Sequence, residues 1–283
     1  MGPGGGGSPI WHYLTNVGKS PSFINGNALL RCVRTTVKSF SRRIPRADLL
    51  IGAVPGAGQV GKLAVDHLIA ELRADLVAEI YSAAFPPQIY IQSDGVAYMP
   101  RFQLYHAEHG SKSALLFTGP SQPESGEASY ELTSDVLEMA KDAGVNEVYS
   151  LAAYILGKEP TERAVHGTAT RPELLERLKL AGVKVMDGGE INGMNGLIFA
   201  MAPIRDMDGI CLLGETAGYY VDALGAKEVL KALARLSGIE VDYSRLDALA
   251  AEAEKAIRAM MEEMSKRADA SHETRPGHMD YIS

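Results

Sequence analysis

The stretch Gly52–Leu63, "GAVPGAGQVGKL", places three glycines and a lysine where they could hold a phosphate. Gly56, Gly58 and Gly61 form G-x-G-x-x-G, a spacing that lets the backbone approach a dinucleotide pyrophosphate at a helix start. Gly56 to Lys62 also form G-x-x-x-x-G-K, in which amides and a lysine cradle a nucleoside triphosphate. Each pattern needs a companion residue. The triphosphate site needs a Ser or Thr after the lysine to hold magnesium, and that position is Leu63. The dinucleotide site needs an acid at the tip of the next strand. Glu79 lies 18 residues past Gly61, in the interior of the apolar run 75–82. A structural reading stands beside both: the glycines make a tight turn that lets helix and strand pack closely. The helix start would still attract an anion, and Lys62 would be a solvated first-turn lysine.

Other polar groups fall in a loop and near a strand end. "DGGEINGMNG" (187–196) offers Gly189 and Glu190, and "CLLGE" ends in Glu215. Gly56, Gly58, Gly61, Lys62, Gly189, Glu190 and Glu215 therefore form the candidate anion or ligand set, although the glycines serve equally well as turn residues. No catalytic constellation emerges. There is no G-x-S-x-G elbow. His106 and His109 sit near a strand end, and His67 sits within a helix. The two cysteines, Cys32 and Cys211, lack zinc-site spacing, and Cys211 lies in an apolar run that reads as a buried strand. The expectation is no catalytic residue, no metal and no cofactor.

The elements that must position these residues follow from periodicity. "LLIGAV" (49–54) reads as a strand buried on both faces, 59–74 as a helix and 75–82 as a second strand, a βαβ unit. Residues 88–119 hold three or four short β runs, with a hairpin turn at Asp94-Gly95 and another turn in "HGSK" (109–112). A loop over 120–128, a helix over 129–144 and a strand over 147–154 come next. A weak strand (164–169), a helix (171–182) and the strand "VKVM" (183–186) lead to the loop 187–196. A helix through "LIFAMAPI" (197–204), a buried strand (208–216) and a helix (221–238) complete the body. The alternation predicts an α/β fold of three layers, with a largely parallel sheet and an inserted β meander. A last helix over about 243–266 carries Leu246, Leu249, Ala253, Ile257, Met260 and Met264 on one stripe, suited to packing on its own domain or to self-association.

The 283 residues carry a net charge of −7, unevenly placed. Residues 1–47 hold seven basic residues and no acid, so all 35 acidic groups lie beyond them. The predicted organisation is a basic, glycine-rich, poorly ordered extension (1–47), an α/β domain (48–240), a helix (241–267) and a mobile tail (268–283). An acidic body argues against a nucleic-acid surface. No apolar run is long enough to span a membrane, and a reducing cytoplasm is the expected compartment.

"LLIGAVPGAGQVGKLAVDHLI" resembles the signature of the proteasome assembly chaperone family, especially its archaeal members. The matching positions are Gly52, Pro55, Gly56, Gly58, Val60, Gly61 and Ala64. Further likeness runs through "FPPQIYIQSDGVAYMP" (85–100), "LLFTGPSQP" (115–123), "VHGTAT" (165–170), "GEINGMNGLI" (189–198) and "CLLGETAGYYVDALGAKEVL" (211–230). The resemblance implies a fold similar to nucleoside phosphorylases without their catalysis, and a homo-oligomer acting on the proteasome core particle. It also implies a carboxy-terminal hydrophobic-Tyr-x tail that docks between α subunits, its carboxylate paired with a lysine. This chain ends "MDYIS", so Tyr281 is third from the end and Asp280 precedes it. The extra residue displaces the carboxylate by about 3.3–3.6 Å in an extended chain. Met279, Tyr281, Ile282 and Ser283 are the candidate partner-binding residues of this degenerate tail.

The leading expectation is a non-enzymatic chaperone that binds proteasome α subunits or the core particle as a homo-oligomer. A nucleotide- or nucleoside-binding enzyme or sensor built on Gly56–Lys62 is the alternative, and a scaffold is the third reading.

Overall fold

The computed structural model describes residues 12–15, 35–40 and 43–256. Four short, wholly apolar or nearly apolar runs form the middle of a ten-stranded sheet: β3 (Leu49–Gly52), β8 (Lys112–Thr118), β9 (Glu147–Ile155) and β12 (Asp208–Thr216). They lie in the order β8-β3-β9-β12 and are parallel throughout. Both faces are covered, which is why their side chains are apolar without alternation.

On one face α1 (Val60–Glu71), α3 (Pro172–Leu180) and α5 (Ala223–Ser237) bury Val65, Leu68, Leu178, Val229 and Leu233 against Ile51, Leu116 and Leu151. On the other, α2 (Gly126–Asp142) and α4 (Met194–Ala200) bury Leu132, Leu137 and Ile198 against Leu50, Leu115 and Val148. Local signals set the helix ends. Ser125 caps α2 by accepting from the Ala128 amide, and Asp222 caps α5 by accepting from the Gly225 amide. Pro172 opens α3, and Gly238 closes α5 at φ +77°.

The flanks differ from the expected largely parallel sheet. β4 (Asp75–Ser82), β7 (Phe102–His109) and β2 (Thr35–Ser39) pair antiparallel on one side, with β1 (His12–Thr15) beyond them. On the other side β10 (Val165–Ala169) runs antiparallel to β12 and parallel to β11 (Lys184–Val185). The sheet is therefore mixed around a parallel centre. The predicted meander splits: β7 and β8 join the main sheet, whereas β5 (Tyr90–Ile91) and β6 (Ala97–Tyr98) form a separate hairpin turning at Gly95, φ +84°.

Two boundaries need correction. Thr35–Ser39 pair in register with Ala78–Ser82, so this part of the basic amino-terminal segment belongs to the sheet rather than to an extension. Its Thr and Val residues suit a strand, a signal masked by the basic composition. α4 starts at Met194 and ends at Ala200, a 3₁₀ turn follows over Ala202–Arg205, and the loop before it stops at Gly193. Residues 244–256 are helical, with Leu246 buried and Leu249 packed on the core of α1 and α5, whereas Ile257, Met260 and Met264 of the predicted stripe lie outside the described residues. Among the described residues no helix is long and apolar enough to cross a membrane.

Candidate functional site

The carboxyl ends of the parallel strands carry the glycine turn and the loops that hold it. β3 ends at Gly52, and the Val54 amide donates to Asn195 Oδ1 at 2.8 Å while Asn195 Nδ2 donates to the Val54 carbonyl at 2.9 Å. Gln122 Nε2 donates to the Pro55 carbonyl at 2.7 Å, and Gln122 Oε1 accepts from the Met194 amide at 3.1 Å. Ser150 Oγ donates to the Asn195 carbonyl at 2.5 Å. The turn is thus stitched to the start of α4 and to the loop after β8. Asn195 and Gln122 escaped the sequence reading. A polar residue at the start of a short apolar helix was the signal available for Asn195; Gln122 gives none.

The glycines have a packing reason. A Cβ on Gly61 would stand 2.0 Å from the Leu151 carbonyl oxygen of β9, and one on Gly58 would stand 2.7 Å from Thr216 Oγ1. Gly58 adopts φ +58°, and its carbonyl accepts from the Asp222 amide at 2.8 Å. Gly56 faces the Asn195 amide across 3.6 Å of a would-be Cβ contact. Lys62 points elsewhere: its ammonium pairs with Asp66 one turn along α1. It lines a cleft of ≈340 Å³ with Arg101, Gln103, Tyr105 and Thr118.

Glu215 lies on β12 away from Lys62, in a second polar cluster. Its Oε2 accepts from the Ala164 amide at 3.0 Å, and its Oε1 accepts from His166 Nε2 at 2.9 Å. The His166 ring stacks on Tyr154, centroids 3.9 Å apart. Burial opposes ionisation of Glu215, but the Ala164 amide and His166 outweigh it and hold the carboxyl below its ordinary range. Beside it, Arg163 bridges Glu159 and the buried Asp222, tying the loop after β9 to the cap of α5.

Gly189 and Glu190 are exposed in the loop after β11, and Glu190 makes no hydrogen bond or ion pair to Lys62 or Glu215. The predicted set therefore separates into four places: the packed turn, the Lys62 cleft, the Glu215 cluster and the exposed loop of Gly189 and Glu190. Met279, Tyr281, Ile282 and Ser283 lie outside the described residues. The Cys211 thiol is buried beside Ser150, and burial pushes its pKa up to about 12, which suits packing rather than nucleophilic attack. Among the described residues no group of three or more His, Cys, Asp and Glu side chains is arranged to hold a metal.

The sequence model of the PAC2 family matches residues 50–261, a span that includes the turn, Asn195 and Glu215. The chain belongs to the PAC2 family. PAC2 relatives share most of its length. An uncharacterised protein of Methanocaldococcus jannaschii is 35% identical over 244 residues, 83% of this chain and 94% of that protein. Pyrococcus furiosus PbaB, described as an archaeal proteasome activator, is 32% identical with a TM-score of 0.75, covering 80% of this chain and 98% of its own. Pyrococcus furiosus PbaA, described as an archaeal homologue of proteasome-assembly chaperone, is 25% identical with a TM-score of 0.70 over 84% and 96%. These PAC2 structures share the α/β architecture, and neither description is that of an enzyme.

Proposed function

We propose that this protein is a proteasome assembly chaperone or activator that works by binding α subunits or the core particle in the cytoplasm, without catalysis. The observation that carries the reading is the PAC2 match together with 32% identity to PbaB over nearly all of that chain. Self-association belongs to the proposal. Several weak tails on one oligomeric body raise the effective concentration at a multi-subunit partner far above that of one tail alone. Met279, Tyr281, Ile282 and Ser283 are the proposed contacts.

The test is binding of the full chain to purified archaeal α-subunit rings, beside a chain lacking residues 279–283. Tail-dependent binding supports docking through the shifted tyrosine. Equal binding by both moves the contact to the body, and no binding by either overturns the reading. Sedimentation at micromolar concentration checks the oligomer, and a monomer there removes the multivalent mechanism.

A further inference from the structure

The lysine of the G-x-x-x-x-G-K stretch faces a cleft that the glycines do not line. The floor comes from Gln103 and Tyr105 on β7 and Thr118 at the end of β8, and the walls from Lys62, Asp66 and Ile69 on α1 with Tyr98, Arg101 and Pro120. Its place in the fold matters. β3 and β8 are parallel neighbours, yet β3 leads into α1 on one face and β8 leads into α2 on the other. Ligands of open α/β sheets bind at such a reversal, but here Gln122 and Asn195 fill it at the loops after β3 and β8, and the cleft opens beside it, between α1 and β7.

We propose that this cleft binds a small aryl anion, one aromatic ring bearing a single carboxylate or phosphate. Charge supports the anion: Lys62 and Arg101 face Asp66 in the cleft, and Glu79, which pairs with Arg101, is shared with Lys38, so the three cations of this cluster exceed its two carboxylates by one. Both cations keep donors in reserve. The Lys62 ammonium has three N–H groups and pairs with Asp66 alone among the described residues. Arg101 spends Nε on Glu79 and Nη1 on the Met99 carbonyl, which leaves Nη2. Asp66 also accepts from Thr118 Oγ1 at 3.1 Å.

Neutral polar groups converge on the same space. Neither the Gln103 amide nor the Tyr105 hydroxyl makes a side-chain hydrogen bond among the described residues. Burial, and then the nearby Asp66, raise the Tyr105 pKa, so its hydroxyl remains a donor at neutral pH. The ring is suggested by the walls. Tyr98 lies under the Arg101 guanidinium at 4.9 Å, and Ile69 and Pro120 add apolar surface. A volume of ≈340 Å³ is at the small end of the range for ligand pockets, about 300–1,000 Å³, and suits one ring with its acid group. This inference is independent of the proteasome reading, and either can fail alone.

Titration calorimetry on the full chain with benzoate, phenyl phosphate and inorganic phosphate tests it. The expected result is binding of at least one aryl anion, about tenfold or more tighter than inorganic phosphate. Benzoate alone assigns a carboxylate ligand, and phenyl phosphate alone assigns a phosphate ester. Lys62→Gln and Tyr105→Phe each weaken that binding about tenfold, whereas Lys179→Gln on the exposed face of α3 leaves it unchanged. Three results overturn the proposal: no heat from either aryl anion at millimolar concentration, equal affinity for inorganic phosphate, or unaltered binding in both cleft variants.

Discussion

The parallel centre of the sheet and its antiparallel flank share the first turn of α1 but use it in opposite ways. Toward the centre, Gly58 and Gly61 are pressed against Thr216 and Leu151, and the backbone of Val54 and Pro55 is bonded by Asn195 and Gln122. Toward the flank, Lys62 reaches a cleft where Arg101, Gln103 and Tyr105 hold donors in reserve. Neighbours one residue apart in sequence thus divide between a packed joint and an open site. The difference shows that a glycine-lysine motif carries no function by itself. What decides is whether the space beside each residue is filled by protein.

The sharpest way to break this contrast is at the joint. Gly61→Ala drives a methyl into the β9 backbone at Leu151, which a carbonyl cannot evade as a side chain can, and is expected to cost about 3 kcal/mol of stability. A denaturant midpoint unchanged from wild type would remove the packing account of the turn. Asn195→Ala follows, at about 2–3 kcal/mol, because it leaves the buried Val54 amide and carbonyl without partners.

Glu215→Gln sharpens the comparison through pH. The native carboxyl titrates below its ordinary value of 4.5, so its contribution is present above that pH and is lost as pH falls through the native pKa. Wild type should exceed the variant by about 1 kcal/mol near neutrality and lose that lead in acid. A constant difference across an acid titration would contradict the role given to the Ala164 amide and His166. The smallest effect belongs to the flank. Lys62→Gln should change stability by no more than about 0.5 kcal/mol, since it removes one partly exposed ion pair. A loss comparable to that of Gly61→Ala would make Lys62 part of the joint.

The strand–helix–strand start, the helix over 221–238 and the hairpin at Gly95 were legible because each depends on residues close in sequence. The two sheet flanks were harder. β2 is five residues in a basic segment, and strand direction on either side depends on pairing with partners tens of residues away. The candidate ligand set was legible as residue types but not as a site. Lys62 at a helix start, Glu190 in a loop and Glu215 near a strand end are equally plausible ligand groups by residue type, yet Lys62 lines the cleft, Glu190 is exposed and Glu215 is locked to His166.

The sequence by itself determined the α/β class, the buried central strands and the family-wide motifs, since local hydrophobic patterning and chain-order signatures survive without coordinates. Only the tertiary structure decided that Leu151 fills the space beside Gly61, that Asn195 and Gln122 satisfy the turn, and that Arg101 and Tyr105 meet Lys62. These contacts join residues separated by 39 to 141 positions, and steric exclusion and hydrogen-bond partnership at that range arise only when the chain has closed on itself.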